Sequence, residues 1–187
     1  MTRVFNAKIV LCGDSSVGKT SIRRNYMGLS FERDHISTLG ADFALKKVPI
    51  QDDRLDLQIW DLGGQLGYER LRSRYFAGAK GALVVFDLTN PESFVNLPHW
   101  FQELWEYTGE KETPVVILGN KCDLVDDIKV NEDEIMAFIK EFQHKHQIQM
   151  PYTYHQTSAK DGINIDVAFD DLVKEMYDAF LLELGLQ

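Results

Sequence analysis

The chain has 187 residues with 20 basic and 29 acidic side chains, a formal charge of −9, enough for one domain with a full core and a poor fit to a nucleic-acid binder, whose affinity rests on basic groups meeting phosphates. No apolar run approaches the ~20 residues of a membrane span, the start Met1-Thr2-Arg3 carries neither signal peptide nor myristoylation glycine, and two cysteines, Cys12 and Cys122, make no disulfide framework. The end, Leu184-Gly185-Leu186-Gln187, has no prenylation cysteine, so the expectation is a cytoplasmic chain with no encoded lipid anchor, associating with membranes only through partners.

An apolar strand is predicted over Phe5 to Leu11, followed by Gly13-Asp14-Ser15-Ser16-Val17-Gly18-Lys19-Thr20 and then a helix from Lys19 to about Met27, with Gly28 as its stop. Strand, glycine loop and helix in that order are the context a phosphate-binding loop requires. Its glycines let backbone N–H groups turn inward on phosphate oxygens, at the positive end of the helix dipole. Lys19 is expected to reach the β- and γ-phosphates, and the Thr20 hydroxyl to ligate Mg²⁺, with Ser21 beside it.

Phe31 to Gly40 shows no period and reads as an exposed loop in which Thr38 is a candidate second Mg²⁺ ligand. Phe43 to Ile50 and Arg54 to Trp60 read as an antiparallel hairpin about Gln51-Asp52-Asp53. The second strand puts Leu55, Leu57 and Ile59 on one face and Asp56, Gln58 and Trp60 on the other. Trp60 therefore falls on the polar face, either as part of a partner surface or covered by a neighbouring helix or loop. Asp61-Leu62-Gly63-Gly64-Gln65 ends that strand. Asp61 there can hold Mg²⁺ through a water, Gly64 can offer its N–H to a γ-phosphate, and Gln65 can orient a water for in-line attack.

Ala82 to Asp87 is short and wholly apolar before its aspartate, the mark of a strand buried on both faces. A helix is predicted from Asn90-Pro91 to about Tyr107, with Trp100 and Trp105 as core residues. Val115 to Leu118 runs into Asn120-Lys121-Cys122-Asp123. A carboxylate at Asp123 offers two acceptors to the adjacent ring N–H and amine of guanine, a pair that adenine lacks. Lys121 has a stem long enough to lie over a base. Helices are predicted from Glu132 to about His146 and over the last segment through Ile165, Phe169, Leu172, Met176 and Phe180, with a short strand near Tyr152 to His155 between them. The turn Thr157-Ser158-Ala159-Lys160 follows that strand, and the Ala159 N–H is a candidate donor to the guanine oxygen. His144, His146 and His155 lack the companions of a metal site and read as ordinary surface residues. The expectation is an α/β fold, a six-stranded mostly parallel sheet with one antiparallel hairpin strand and about five helices on both faces. Its functional loops belong at the carboxyl ends of the parallel strands.

The ordered set Gly13–Thr20, Thr38, Asp61–Gln65, Asn120–Asp123 and Ser158–Lys160 resembles the Ras superfamily of small GTPases over essentially the whole chain. The wording His35 to Phe43, Leu57 to Asp61 and Tyr75-Phe76-Ala77-Gly78-Ala79 is most similar to the Rab branch. The resemblance implies one GTP-binding domain over residues 1–187, a monomer that binds GTP or GDP with Mg²⁺ and hydrolyses GTP slowly unless an activating protein assists. By it, Phe31 lies against the guanine, Thr38 belongs to switch I, and Gln65 and Lys19 carry catalysis. Exchange factors and effectors are implied partners, with Phe43, Trp60 and Tyr75 matching an apolar triad that effectors read, in membrane traffic or signalling. Leu62-Gly63-Gly64-Gln65 departs from Rab wording toward that of Arf proteins and heterotrimeric α subunits, and His35 replaces the usual switch I tyrosine. Two other readings share some of these motifs: a GTP-binding scaffold with negligible turnover, and a kinase sharing the phosphate loop, which would have no use for Asn120–Asp123.

Overall fold

The computed structural model describes residues 2–30, 40–64 and 69–186, with the backbone alone at 69–71. Phe31, Thr38 and Gln65, along with His35, lie outside the described residues. Strands β1 (Val4–Cys12), β2 (Ala41–Ile50), β3 (Asp53–Leu62), β4 (Gly81–Asp87), β5 (Val115–Asn120) and β6 (Thr153–Thr157) form one sheet in the order β2-β3-β1-β4-β5-β6. Only the β2–β3 pair is antiparallel. The helices are α1 (Lys19–Tyr26), α2 (Glu69–Phe76), α3 (Pro91–Val95), α4 (Leu97–Thr108), α5 (Glu132–His146) and α6 (Ile165–Glu183).

Alternation along the buried strands sorts the core into two layers. Val10, Val84, Phe86 and Ile117 pack under Phe76 of α2, Trp100, Phe101 and Leu104 of α4, and Ile135 and Phe142 of α5. Ile9, Leu11, Leu57, Val85 and Leu118 face Ile22 of α1 and Phe169, Leu172 and Met176 of α6. Every residue of β4 and β5 is buried, as expected of parallel strands covered on both sides. Chain order reverses around β1, which pairs with β3 on one side and β4 on the other. The loop leaving β1 therefore opens into the crevice where such sheets bind ligands.

The hairpin turn and the helix before β5 differ from the expected ones. The hairpin closes on a two-residue turn, Gln51-Asp52, because Ile50 already pairs with Asp53; Gln51 takes the positive φ of 50° that so tight a turn demands. The helix predicted from Asn90 to Tyr107 is broken at Asn96. Pro98 has no N–H to continue the ladder, and its ring would press on the carbonyl one turn back. Asn90 caps α3 by accepting from the Glu92 N–H at 3.2 Å. The last helix buries Tyr177 along with Ile165, Phe169, Leu172 and Met176, while Phe180, expected in the core, is only partly buried; Tyr177 donates to Asp53 Oδ2 at 2.7 Å, tying α6 to the hairpin turn.

Candidate nucleotide site

Gly13 and Gly18 hold φ of 137° and 104°, in the region that favours glycine. Space excludes any side chain as firmly as conformation does. A Cβ on Gly13 would stand 2.0 Å from the Val85 carbonyl oxygen, and one on Gly18 would stand 2.2 Å from Asn120 Nδ2. The second approach locks the loop to the base-side motif, because Asn120 Nδ2 also donates to the Val17 carbonyl at 2.8 Å. Ser15 and Ser16 are exposed, and Ser16 carries a positive φ of 65°.

Lys19 begins α1 and is 6% exposed. Its ammonium donates to the carbonyls of Gly13 at 2.8 Å and Asp14 at 2.6 Å, so its head lies under the loop. Burial pushes its pKa down to about 8, against the opposing pull of Asp61, Cys12 and Asp14. Thr20 donates to Asp61 Oδ2 at 2.5 Å, bringing the two expected metal-side oxygens together from α1 and the end of β3. Burial raises the Asp61 pKa, with Thr20 and Lys19 opposing. Asp61 Oδ1 is buried without a hydrogen-bond partner. A buried, unsatisfied carboxylate oxygen beside a hydroxyl is a hard donor set that fits Mg²⁺. Gly64 lies against the loop: a Cβ there would stand 2.4 Å from the Asp14 carbonyl carbon and 2.5 Å from Ser15 N.

The base-side residues converge from the ends of β5 and β6. A cavity of about 220 Å³ is lined by Gly18, Ser21, Asn120, Lys121, Asp123, Leu124, Ala159 and Lys160. Asp123 Oδ1 accepts from Ser158 Oγ at 2.7 Å, and Lys160 Nζ lies 3.6 Å from Oδ2. Ser158 thus acts by holding Asp123 rather than by lining the cavity. The Ala159 N–H, expected at a guanine oxygen, donates to Asn120 Oδ1 at 3.1 Å, because that buried amide oxygen gathers both this N–H and the Thr157 hydroxyl. Cys122 is half-buried, and burial raises its thiol pKa, as suits a packing residue.

Asp87 escaped the sequence reading. It ends β4 beside Asn120, accepts from the Thr89 N–H and hydroxyl, and holds Lys121 Nζ at 2.6 Å. A polar residue closing an otherwise apolar strand was the available signal. Asn96 and Trp100 escaped too: both donate to the Asp14 carboxylate, at 2.8 and 2.7 Å. Nothing in helical spacing marks a core tryptophan as a hydrogen-bond donor. Among the described residues no three or more histidine, cysteine and acidic side chains gather as a metal site, and His155 pairs with Asp171 at 2.7 Å.

Trp60 is half-buried at the base of an aromatic row. Phe43 stacks on it at 5.1 Å and Tyr75 lies 5.5 Å away, while Phe43 is 53% exposed and Leu45 beyond it 65%. Among the described residues no helix is long and apolar enough to cross a membrane.

The Ras family model matches residues 8–178. The Ras-related protein Rab-7a of Paramecium octaurelia is 38% identical over 170 residues, covering 89% of this chain and 79% of that protein. Rab-10 of Caenorhabditis elegans is 36% identical over 167 residues, with the same coverage, and Rab-3C of Bos taurus is 37% identical over 171 residues, 91% of this chain and 71% of that protein. The family model spans most of the sequence, and this chain belongs to the Ras family of GTPases.

Proposed function

We propose that the protein is a single-domain guanine-nucleotide switch of Rab type. The observation that carries the reading is the continuity of two half-sites through one residue: Asn120 touches the phosphate loop at Val17 and the base-side turn at Ala159. In this reading the loop Gly13 to Ser21 wraps the phosphates, and Lys19 turns from the loop carbonyls to their oxygens. Asp123, pinned by Ser158, accepts both guanine donors, Lys121 lies along the base under the hold of Asp87, and Phe31 covers the other side. Thr20, Thr38 and Asp61 would hold Mg²⁺. When bound, the ion neutralises charge on the β- and γ-phosphate oxygens. Gly64 offers its N–H to the γ-phosphate, and Gln65 orients the attacking water.

Loss of the γ-phosphate removes what holds Thr38 and Gly64, so both segments change state with the nucleotide. Effectors read the row Phe43, Trp60 and Tyr75 in the GTP form, an exchange factor and an activating protein reset it, and partners bring the monomer to membranes in traffic. To test this, the purified protein is denatured and the released nucleotide identified by chromatography. Stoichiometric GDP or GTP is the expected result; adenine nucleotide, or none together with no uptake of added GDP, would defeat the reading.

A further inference from the structure

Charge is costly in a protein interior, yet Arg72 of α2 is 1% exposed. Its Nε and Nη2 donate to the two carboxylate oxygens of Glu103 on α4, at 2.9 and 2.7 Å, and its Nη1 lies 3.5 Å from the Gly63 carbonyl oxygen. Glu103 is itself 5% exposed and has His99 at 3.0 Å. The Arg72 guanidinium sits 4.8 Å from the centre of the Trp100 ring, within cation–π range. Trp100, also 1% exposed, passes the contact on: its Nε1–H donates to Asp14 Oδ1 while Asn96 Nδ2 donates to Oδ2. Both oxygens of the loop carboxylate are therefore held by the α3–α4 junction. Against the backbone of Asp14 and Ser15 lies Gly64, too close for any side chain between them.

A buried ion pair rarely adds stability over apolar groups of the same shape, whereas it fixes geometry sharply. This one ties α2 to α4 at the point where α4 grips the phosphate loop. We propose that Arg72 and Trp100 are positioning residues for γ-phosphate recognition, holding Asp14 and Gly63-Gly64 in one register so that the protein discriminates GTP from GDP. The proposal rests on the reading above in which Gly64 meets the γ-phosphate. GDP engages the loop alone, so its affinity is insensitive to that register. GTP requires Gly64 in place, and a preformed register spares the cost of ordering it on binding.

The test is the ratio of affinities for a non-hydrolysable GTP analogue and for GDP. Trp100→Phe keeps an aromatic ring under Arg72 but removes the N–H. It should weaken the GTP analogue about tenfold, the low end for a hydrogen bond to a charged group, and change GDP by less than about twofold. Arg72→Met would strand Glu103, so it is made with Glu103→Leu; this pair should shift the ratio in the same direction. Combining it with Trp100→Phe should cost no more than the larger single effect if the residues act as one unit. Asn96→Ala, at the half-exposed junction, removes the other donor to Asp14 and should also weaken the GTP analogue selectively. Equal losses for both nucleotides, fully additive losses, or a lowered melting temperature with an unchanged ratio would each overturn the proposal. Failure of the parent protein to bind either guanine nucleotide would instead defeat the underlying reading.

Discussion

At the scale of single residues, Lys19 and Asp123 make the sharpest commitments. Burial holds the Lys19 pKa at about 8 in the folded protein against 10.5 when exposed. Between those values the unfolded chain carries a proton that the folded chain has shed, so free-protein stability rises with pH across that window and falls as pH drops through 8. Phosphates beside the ammonium restore the proton. GDP binding at pH 8.5 should therefore take up protons, and affinity should decline as pH rises past about 8. Calorimetry in two buffers of different ionisation enthalpy checks this; identical heats would show that Lys19 is not titrating in the site. Asp123→Asn turns one acceptor into a donor facing the guanine amine, while Ser158 still has an oxygen to hold. Preference should move from guanine toward xanthine nucleotide by ~100-fold or more, the scale set when a buried polar pair is mismatched. A competition assay with GDP and XDP measures it. Lys19, Thr20, Asp61, Asn120 and Asp123 were legible because their chemistry depends on type and local spacing. The hold of Asp87 on Lys121 and the grip of Asn96 and Trp100 on Asp14 were not, since they join elements far apart in sequence.

At the scale of elements, the β2–β3 hairpin decides what a partner can touch. Alternation put Trp60 on the polar face and left open whether it was surface or covered; packing between Phe43 and Tyr75 makes it half of each. Trp60→Ala should thus lose roughly 1–3 kcal/mol, less than the ~3–5 of a fully buried tryptophan. That loss makes it a blunt probe of binding. Phe43, 53% exposed on the edge strand, is the cleaner one. Phe43→Ala should change stability by under about 0.5 kcal/mol and cost about 2 kcal/mol of effector affinity, in the GTP form only. A thermal melt beside a pull-down in both nucleotide states reads the two effects; equal binding by both states would remove this surface from the switch. Strand and helix periods located the elements named here except α2 and the break at Asn96. That break needed Pro98 weighed against an otherwise continuous apolar pattern.

At the scale of the molecule, GTP turnover by the unaided protein should be slow. Among the described residues the two buried arginines are paired away from the phosphate loop, Arg23 with Asp42 and Arg72 with Glu103, and the groups that face it are Lys19 and the loop N–H groups. Unaided hydrolysis should run on the order of 10⁻⁴ to 10⁻² s⁻¹, the span of Ras-type proteins without an activator and α subunits with their own arginine. Gln65→Leu should slow it further without weakening GTP binding. The fold itself was legible almost whole, because buried parallel strands and amphipathic helices announce themselves by period. The most direct measurement is single-turnover hydrolysis of GTP by reloaded protein in Mg²⁺, followed as phosphate released per bound nucleotide. One phosphate per GTP is expected in that slow range, abolished by chelating Mg²⁺ and undetectable with ATP. Bound GTP that stays intact over many hours, or hydrolysis of ATP at the same rate, would contradict it.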